Sequence, residues 1–216
     1  MKKAKPAPFL RLWEHDLGML GEVRALCGVD EAGRGPLAGN VVAACVVLDL
    51  GRPPIEGLND SKQLSAEERE DLFERIRENA LGFGIGECSP SEIDKRNILI
   101  ATFLAMQRAL DAMSVKPDLV LVDGNHSIPD ITLPQRCLVK GDGLSASIAA
   151  ASILAKVTRD RQMDDLHVLH PEYGFATHRG YATREHQAAI QRLGLTDYHR
   201  RSFCLRDAEQ LSLFRE

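Results

Sequence analysis

The 216-residue sequence has few cysteines, and none of them lies close to another in sequence. Its five cysteines are widely spaced, and no two of them stand in a Cys-x-x-Cys pair. An odd number of scattered cysteines argues against a disulfide framework or a cysteine-based zinc site. It favours free thiols in a reducing compartment. We therefore expect a cytoplasmic protein.

The sequence also lacks a long apolar run. Its first twenty residues are interrupted by Arg11, Glu14 and Asp16, which is atypical of a signal peptide. No apolar stretch approaches the roughly 20 residues of a membrane-spanning helix, so no membrane contact is expected. Internal repeats and low-complexity tracts are missing as well. The length fits one well-buried domain, and we expect it to act as a monomer.

A strong basic excess is missing too. The formal net charge is -4, which gives no global indication of nucleic-acid binding. Residues 140–206 nevertheless carry ten basic against seven acidic residues, a weak indication of a local basic surface. No Gly-Lys pair occurs anywhere in the chain, which excludes a P-loop nucleotide site.

Strand and helix patterns mix along the rest of the chain. Valine-rich or alternating apolar runs predict strands at residues 27–30, 40–49, 81–88, 118–124 and 136–142. Capping boxes, a helical proline position and a terminal glycine predict helices at residues 65–78, 90–113, 145–163 and 183–193. This order predicts an α/β protein with a mixed sheet flanked by helices.

Acidic residues recur at the predicted strand ends. Asp30 and Asp123 each end an apolar run before a glycine-containing turn, and Asp142 lies between a strand and a helix. Such carboxylates would meet at one sheet edge, and together they would need a compensating cation. Oxygen ligands select Mg²⁺ or Mn²⁺, and two such ions can promote phosphoryl displacement. The alternative is that each acid merely caps a turn.

The loop after Asp30 is rich in glycine. Gly33-Arg34-Gly35 can offer backbone N–H groups to an anion, although a tight turn without a ligand remains the alternative. The segment resembles a dinucleotide fingerprint only loosely. It is too short for the crossover that parallel strands require. We therefore expect the first two strands to be antiparallel.

Six sequence blocks together resemble the bacterial ribonuclease HII family. They are GVDEAGRGPLAG at residues 28–39, LNDSKQLS at 58–65, LVDG at 121–124, KGDGLSASIAAASILAKVTRD at 140–160, HPEYGFATHRGYATREH at 170–186 and HRRSF at 199–203. The resemblance implies a ribonuclease-H-like fold with a central five-stranded mixed sheet, flanking helices and a helical C-terminal portion. It also implies a division into an N-terminal extension, residues 1–24, and a catalytic domain, residues 25–216. The sister family, ribonuclease HIII, usually carries a larger N-terminal domain.

The resemblance implies a metal-dependent endoribonuclease. Asp30, Glu31, Asp123 and Asp142 would be its catalytic carboxylates and would bind two Mg²⁺ or Mn²⁺ ions. The enzyme would cleave RNA in RNA–DNA hybrids and nick 5′ to ribonucleotides embedded in duplex DNA. The products would be a 3′-hydroxyl and a 5′-phosphate, and the role would be removal of ribonucleotides from DNA. The sequence indicates no protein partner.

Further residues are expected to contact the substrate. By resemblance, Gly33, Arg34 and Gly35 would read the ribose 2′-hydroxyl, and Tyr181 would stack on the next sugar. Lys62 and Lys156 could contact phosphates, although Lys156 could equally pair with Asp160 four residues on. His178 is a further candidate contact. The alternative functions are a hybrid- or duplex-binding protein without catalysis and phosphoryl chemistry on small nucleotides.

Overall fold

The computed structural model describes residues 7–21 and 23–203. Five strands form one sheet in the order β3-β2-β1-β4-β5. The strands are β1 Leu26–Ala32, β2 Val41–Leu48, β3 Ala80–Cys88, β4 Leu119–Asp123 and β5 Gln135–Leu138. Strands β1, β2 and β3 pair antiparallel, whereas β4 is parallel to β1 and to β5. The predicted mixed sheet and its antiparallel first pair are confirmed.

Seven helices of the described residues surround the sheet. They are α1 Pro8–Met19, α2 Ala66–Asn79, α3 Pro90–Arg96, α4 Ile98–Asp111, α5 Ala146–Leu169, α6 Phe175–His178 and α7 Arg184–Leu193. One layer combines α1, α2 and α5 with one face of β2, and the opposite layer contains α4. Because alternate residues of β2 point to opposite faces, Ala44 and Val46 join the first layer while Cys45 and Val47 join the second.

The prediction of a single helix over residues 90–113 is wrong. Asn97 has φ 76°, and its side chain accepts hydrogen bonds from the N–H groups of Leu99 and Ile100. Its backbone thus ends α3 and its side chain caps α4, an arrangement that asparagine tolerates better than most residues. The predicted fifth strand also ends early, at Leu138, because residues Gly141–Gly143 form a 3₁₀ turn.

Helix α5 is longer than expected and lies close to the sheet. It runs to Leu169, six residues past the predicted end at Met163. Its alanines allow a close approach, and at the closest point a Cβ added to Gly28 of β1 would lie 2.1 Å from the carbonyl carbon of Ser147. No helix within the described ranges is long and apolar enough to span a membrane.

The N-terminal segment packs on the domain that follows it. Helix α1 was not predicted, yet its Leu12 and Trp13 are buried in the same core cluster as Ala146 and Ala150 of α5. The division after residue 24 remains a prediction, but α1 shares this core. Cys27, Cys45 and Cys88 are buried free thiols, and Cys204 lies outside the described residues.

Candidate active site

The carboxyl ends of β1, β4 and the β5 turn meet at one sheet edge. Val29 of β1 pairs with Val122 of β4, so that Asp30 and Asp123 follow side by side. Asp123 pairs in turn with Leu138 at the end of β5, four residues before Asp142. Parallel neighbours therefore bring three acids from distant sequence positions to one place, as the sequence predicts.

Asp30 and Glu31 form the centre of this edge. Asp30 is buried and its Oδ1 accepts a 2.7 Å hydrogen bond from the N–H of Glu31. Burial raises the pKa of Asp30 well above its usual range, and the charges of Glu31 and Asp123 raise it further. Burial also raises the pKa of Glu31, although the Arg34 guanidinium, 3.2 Å away, opposes this increase.

Asp123 and Asp142 are joined through the 3₁₀ turn. The N–H of Gly141 donates a 2.7 Å hydrogen bond to Oδ1 of Asp123. Burial raises the pKa of Asp123, a change that this hydrogen bond opposes and the Asp142 charge reinforces. Lys62 donates from Nζ to Oδ2 of Asp142 at 3.0 Å. Partial burial lowers the pKa of Lys62, but the hydrogen bond and charge of Asp142 outweigh it and raise the pKa overall.

The four carboxylates supply a donor set that suits a hard divalent cation. All their ligand atoms are oxygen. Burial is the main cause that raises the pKa values of Asp30, Glu31 and Asp123, and neighbouring carboxylates raise them further. In the described part of the chain, no group of three acidic, histidine or cysteine side chains has the geometry to hold a metal ion as it stands. The Lys62 ammonium provides the compensating positive charge beside Asp142.

The Gly33-Arg34-Gly35 segment borders these acids. Gly33 has φ +91°, and a Cβ there would lie 2.1 Å from Nε of Arg159, so that only glycine fits. A Cβ at Gly35 would lie 3.7 Å from the Tyr181 ring, an ordinary contact. The structure therefore places this loop directly beside Tyr181. Steric exclusion applies at the first glycine and not at the second.

Two buried arginines hold the loop from behind. Arg200 donates hydrogen bonds to the carbonyls of Gly33 at 2.6 Å and Arg34 at 3.0 Å, and it also reaches those of Pro36 and Gly39. Arg159 donates to three more main-chain carbonyls, those of Ala38, Asn40 and Arg179. The planar guanidinium fork suits such multiple contacts. Neither arginine was assigned a role from the sequence, although Arg159 lies at the end of the block at residues 140–160 and Arg200 lies in the block HRRSF.

Tyr181 stands on a rigid turn over buried histidines. Its side chain is half exposed, with 48% of its surface accessible, while its carbonyl pairs with Nδ1 of His186 at 2.9 Å. The suggestion that His178 contacts substrate is not supported, because His178 is buried. Its Nε2 pairs with the carbonyl of Tyr173, and its Nδ1 accepts from the N–H of Gly180.

Lys62 and Lys156 line a cleft of about 250 Å³ next to Glu31 and Tyr181. Lys156 forms the ion pair with Asp160 that the i, i+4 spacing predicted, at 2.6 Å. The cleft wall also includes Arg69, which donates to the carbonyls of the segment that carries Lys62. Lys62 and Lys156 thus share one cleft with Glu31 and Tyr181.

A five-stranded mixed sheet flanked by helices, with carboxylates gathered at its edge, defines the ribonuclease-H-like class of nucleases. The model of the family described as Ribonuclease HII matches residues 27–206, and the chain belongs to this family. Members hydrolyse RNA in RNA–DNA hybrids and depend on divalent metal ions. The chain is therefore an endonuclease, and the alternative of a binding protein without catalysis is set aside.

Known members of the family are similar to this chain in sequence or structure over most of its length. Ribonuclease HII from Shewanella oneidensis is 53% identical over 201 residues, covering 91% of this chain and 95% of the relative. Ribonuclease HII from Chromohalobacter salexigens is 59% identical over 178 residues, covering 82% and 88%. The crystal structure of ribonuclease H2 from Pyrococcus horikoshii superimposes with a TM-score of 0.72 at 28% identity, covering 87% of this chain and 99% of that one.

Proposed function

We propose that the chain cleaves RNA in RNA–DNA hybrids and nicks 5′ to ribonucleotides embedded in duplex DNA, leaving a 3′-hydroxyl and a 5′-phosphate. The observation that carries this proposal is the adjacency of two groups of residues. The carboxylates Asp30 and Glu31 end β1, and the Gly33–Gly35 loop follows them directly, beside Tyr181. Catalytic acids and a recognition loop thus share one short segment.

Asp30, Glu31, Asp123 and Asp142 are the proposed metal ligands, for Mg²⁺ or Mn²⁺. When bound, two such ions would activate the attacking water and stabilise the leaving 3′ oxygen. These carboxylates are buried and close to one another, and both effects raise their pKa values, burial the more strongly. A bound divalent cation would stabilise their charged forms. A cation held by Asp142 would compete with the Lys62 ammonium for its Oδ2, and the ammonium would then be available to a substrate phosphate.

The Gly33-Arg34-Gly35 loop is the proposed reader of the ribose 2′-hydroxyl, the group that distinguishes RNA from DNA. Arg200 occupies the carbonyls of Gly33 and Arg34, so we assign the N–H groups of this segment to the substrate. The exposed ring of Tyr181 lies against Gly35 and would stack on the sugar that follows the ribonucleotide. Lys156, on the cleft wall, is assigned to a phosphate.

The test uses a DNA duplex with one embedded ribonucleotide, incubated with the protein and Mg²⁺ or Mn²⁺. We expect one nick on the 5′ side of the ribonucleotide, a 3′-hydroxyl at the new end, and no product with chelator. An all-DNA duplex of the same sequence is the control and should remain intact. Cleavage of an RNA–DNA hybrid without nicking at the single ribonucleotide would contradict the finer part of the proposal. Hydrolysis of mononucleotides with both duplexes intact would contradict all of it.

Such nicking would begin the removal of ribonucleotides from DNA, which is the cellular role we propose. The buried free thiols Cys27, Cys45 and Cys88 support a reducing cytoplasm as its location. We propose that a single copy of the chain suffices, because all four carboxylates and the recognition loop belong to one chain.

A further inference from the structure

Helix α1 lies outside residues 27–206, the segment that the family model matches. One side of this helix is buried against α5. Leu12 and Trp13 join the apolar core with Ala146 and Ala150, and one turn further on Asp16 is 0% exposed. A fully buried carboxylate is costly unless it is paired, so the partners of Asp16 indicate what this helix does.

Asp16 binds the first turn of α5. Its Oδ2 accepts a 3.0 Å hydrogen bond from Oγ of Ser145 and a 2.8 Å hydrogen bond from the N–H of Ser147. Its Oδ1 pairs with Nδ1 of His15 at 2.9 Å. A carboxylate at a helix N-terminus satisfies otherwise unpaired N–H groups and interacts favourably with the helix dipole. Asp16 therefore fixes the start of α5 from a separate part of the chain.

The start of α5 is bonded directly to the turn that carries Asp142. The N–H of Ser145 donates to the carbonyl of Gly141 at 2.8 Å. The N–H of Gly141 donates in turn to Oδ1 of Asp123 at 2.7 Å. An unbroken series of hydrogen bonds thus runs from Asp16 through Ser145 and Gly141 to Asp123, and Asp142 is the next residue of the same turn.

The same first turn of α5 lies on β1. A Cβ at Gly28 would lie 2.1 Å from the carbonyl carbon and 2.4 Å from the carbonyl oxygen of Ser147. Ser147 is the residue whose N–H Asp16 holds, and Gly28 precedes Asp30 by two residues. Asp16 thus anchors the point where the helix meets the strand that carries the central acids.

We propose that Asp16 is a positioning residue that sets the relative placement of Asp30, Asp123 and Asp142 through the first turn of α5. The proposal rests on the proposed function, in which these three residues are metal ligands. Asp16 touches neither substrate nor metal. Partners bonded directly to metal-ligating side chains typically change metal affinity or activity about 10–100-fold when they are removed. Asp16 acts one residue further out, through Ser145 and Gly141, so we expect an effect at the lower end of that range.

The experiment measures Mn²⁺ binding to the full chain by titration calorimetry at a temperature where thermal denaturation shows each variant to be folded. Asp16→Asn keeps the shape of the side chain but places an amide where two donors point. We expect it to weaken Mn²⁺ binding about tenfold. Glu14→Gln, an exposed charge change on the same helix, is the matched control and should bind Mn²⁺ like the parent.

Ser145→Ala is the second variant. It removes an Oγ that donates to Asp16 and accepts from the N–H of Ile148. Because Asp16 keeps its bond to Ser147, we expect a smaller weakening of Mn²⁺ binding than in Asp16→Asn. It decides the question if Asp16→Asn does not fold. A purely structural role would lower the melting temperature of either variant without changing the Mn²⁺ affinity of its folded form, and that result would overturn the proposal.

Asp123→Asn separates this proposal from the proposed function. If the Asp123→Asn variant binds Mn²⁺ as tightly as the parent does, the metal site itself is misassigned and the positioning role fails with it. If Asp123→Asn weakens Mn²⁺ binding while Asp16→Asn and Ser145→Ala do not, the proposed function stands and only the role of Asp16 is overturned.

Discussion

The ammonium of Lys62 lies 3.0 Å from Oδ2 of Asp142, although 76% of the Lys62 side chain is exposed. An exposed lysine seldom gains much from a surface ion pair, yet here its partner carboxylate is almost fully buried among other acids. Lys62 therefore balances their charge while keeping access to the solvent side, where a phosphate would approach.

Lys62→Met should have opposite effects on metal and on substrate. Removing a cation beside Asp142 favours a divalent ion there, so Mn²⁺ should bind as tightly as in the parent or more tightly. The KM for an RNA–DNA hybrid should rise, and the salt dependence of binding should decrease by the equivalent of about one phosphate contact. Calorimetry and steady-state kinetics at several salt concentrations measure both. Lys95→Met, a change at an exposed lysine of α3, is the control, and weaker Mn²⁺ binding in Lys62→Met would contradict this account.

Asp30→Asn should abolish cleavage and stabilise the metal-free protein. Burial and the neighbouring acids raise the pKa of Asp30 in the folded state. An acid with a raised folded pKa destabilises the fold increasingly as pH rises from its unfolded pKa through its folded pKa. At pH 7 in chelator, the neutral amide should raise the melting temperature by about 2–4 °C for each kcal/mol gained. The difference from the parent should shrink as pH falls toward 4. A lower melting temperature at pH 7 would show that the crowding is not repulsive.

Acidification should destabilise the fold around His186 and His199, the buried and hydrogen-bonded histidines next to Tyr181. Burial, with the neighbouring His186 charge, lowers the pKa of His199 to about 4. Its neutral form is therefore favoured in the fold, and stability is lost as pH falls from its unfolded pKa near 6.5 toward 4. The free energy of unfolding should drop by about 2 kcal/mol between pH 7 and pH 5. His199→Gln should flatten that profile, and His126→Gln, at an exposed histidine, should not. If the free energy of unfolding of His199→Gln falls as steeply with pH as that of the parent, a group other than His199 causes the pH dependence.

Tyr181→Ala should impair cleavage at RNA–DNA junctions more than metal binding. A base stacked on an aromatic ring contributes about 1–3 kcal/mol in single-strand binding. For the sugar that Tyr181 would contact we expect the lower end of that range, which is a decrease in kcat/KM of about tenfold at a junction substrate. Tyr181→Phe keeps the ring against Gly35 and should retain most of the rate. An unchanged junction rate in Tyr181→Ala would remove the residue from the proposed site.

The sequence predicts this fold well where local pattern and burial agree. Valine-rich β2 and the capping boxes at Ser65 and Ser89 form as expected. The break at Asn97 was missed because the apolar pattern continues across it. Helix α1 was missed because its burial depends on α5, more than 120 residues away.

The residues of the site also divide into those that local sequence pattern predicts and those that depend on distant parts of the chain. Asp30 and Asp123 were recognisable because each ends an apolar run, and Asp142 because it lies between a predicted strand and helix, whereas Glu31 was identified only through the family resemblance. The roles of Arg159 and Arg200 were not, since a buried arginine is defined by the carbonyls that fold around it and not by its neighbours in sequence. Asp16 is a similar case, because its partners lie about 130 residues away.

Arg200→Lys should weaken the discrimination between ribose and its analogues. Arg200 holds the carbonyls of Gly33 and Arg34 with a planar fork, and the three donors of a lysine ammonium cannot reproduce its geometry. Carbonyls left unpaired cost about 1–3 kcal/mol each, so the loop should shift.

We expect kcat/KM for a duplex with one ribonucleotide to fall about tenfold. The rate for a 2′-fluoro analogue, whose fluorine is a poor acceptor for the loop N–H groups, should change little, so that the ratio between the two substrates decreases. Arg201→Lys, at the exposed neighbouring position, is the control. If Arg200→Lys lowers the melting temperature but leaves the ratio of kcat/KM between the two substrates unchanged, Arg200 has only a structural role. That result would contradict its proposed role in positioning the loop that reads the 2′-hydroxyl.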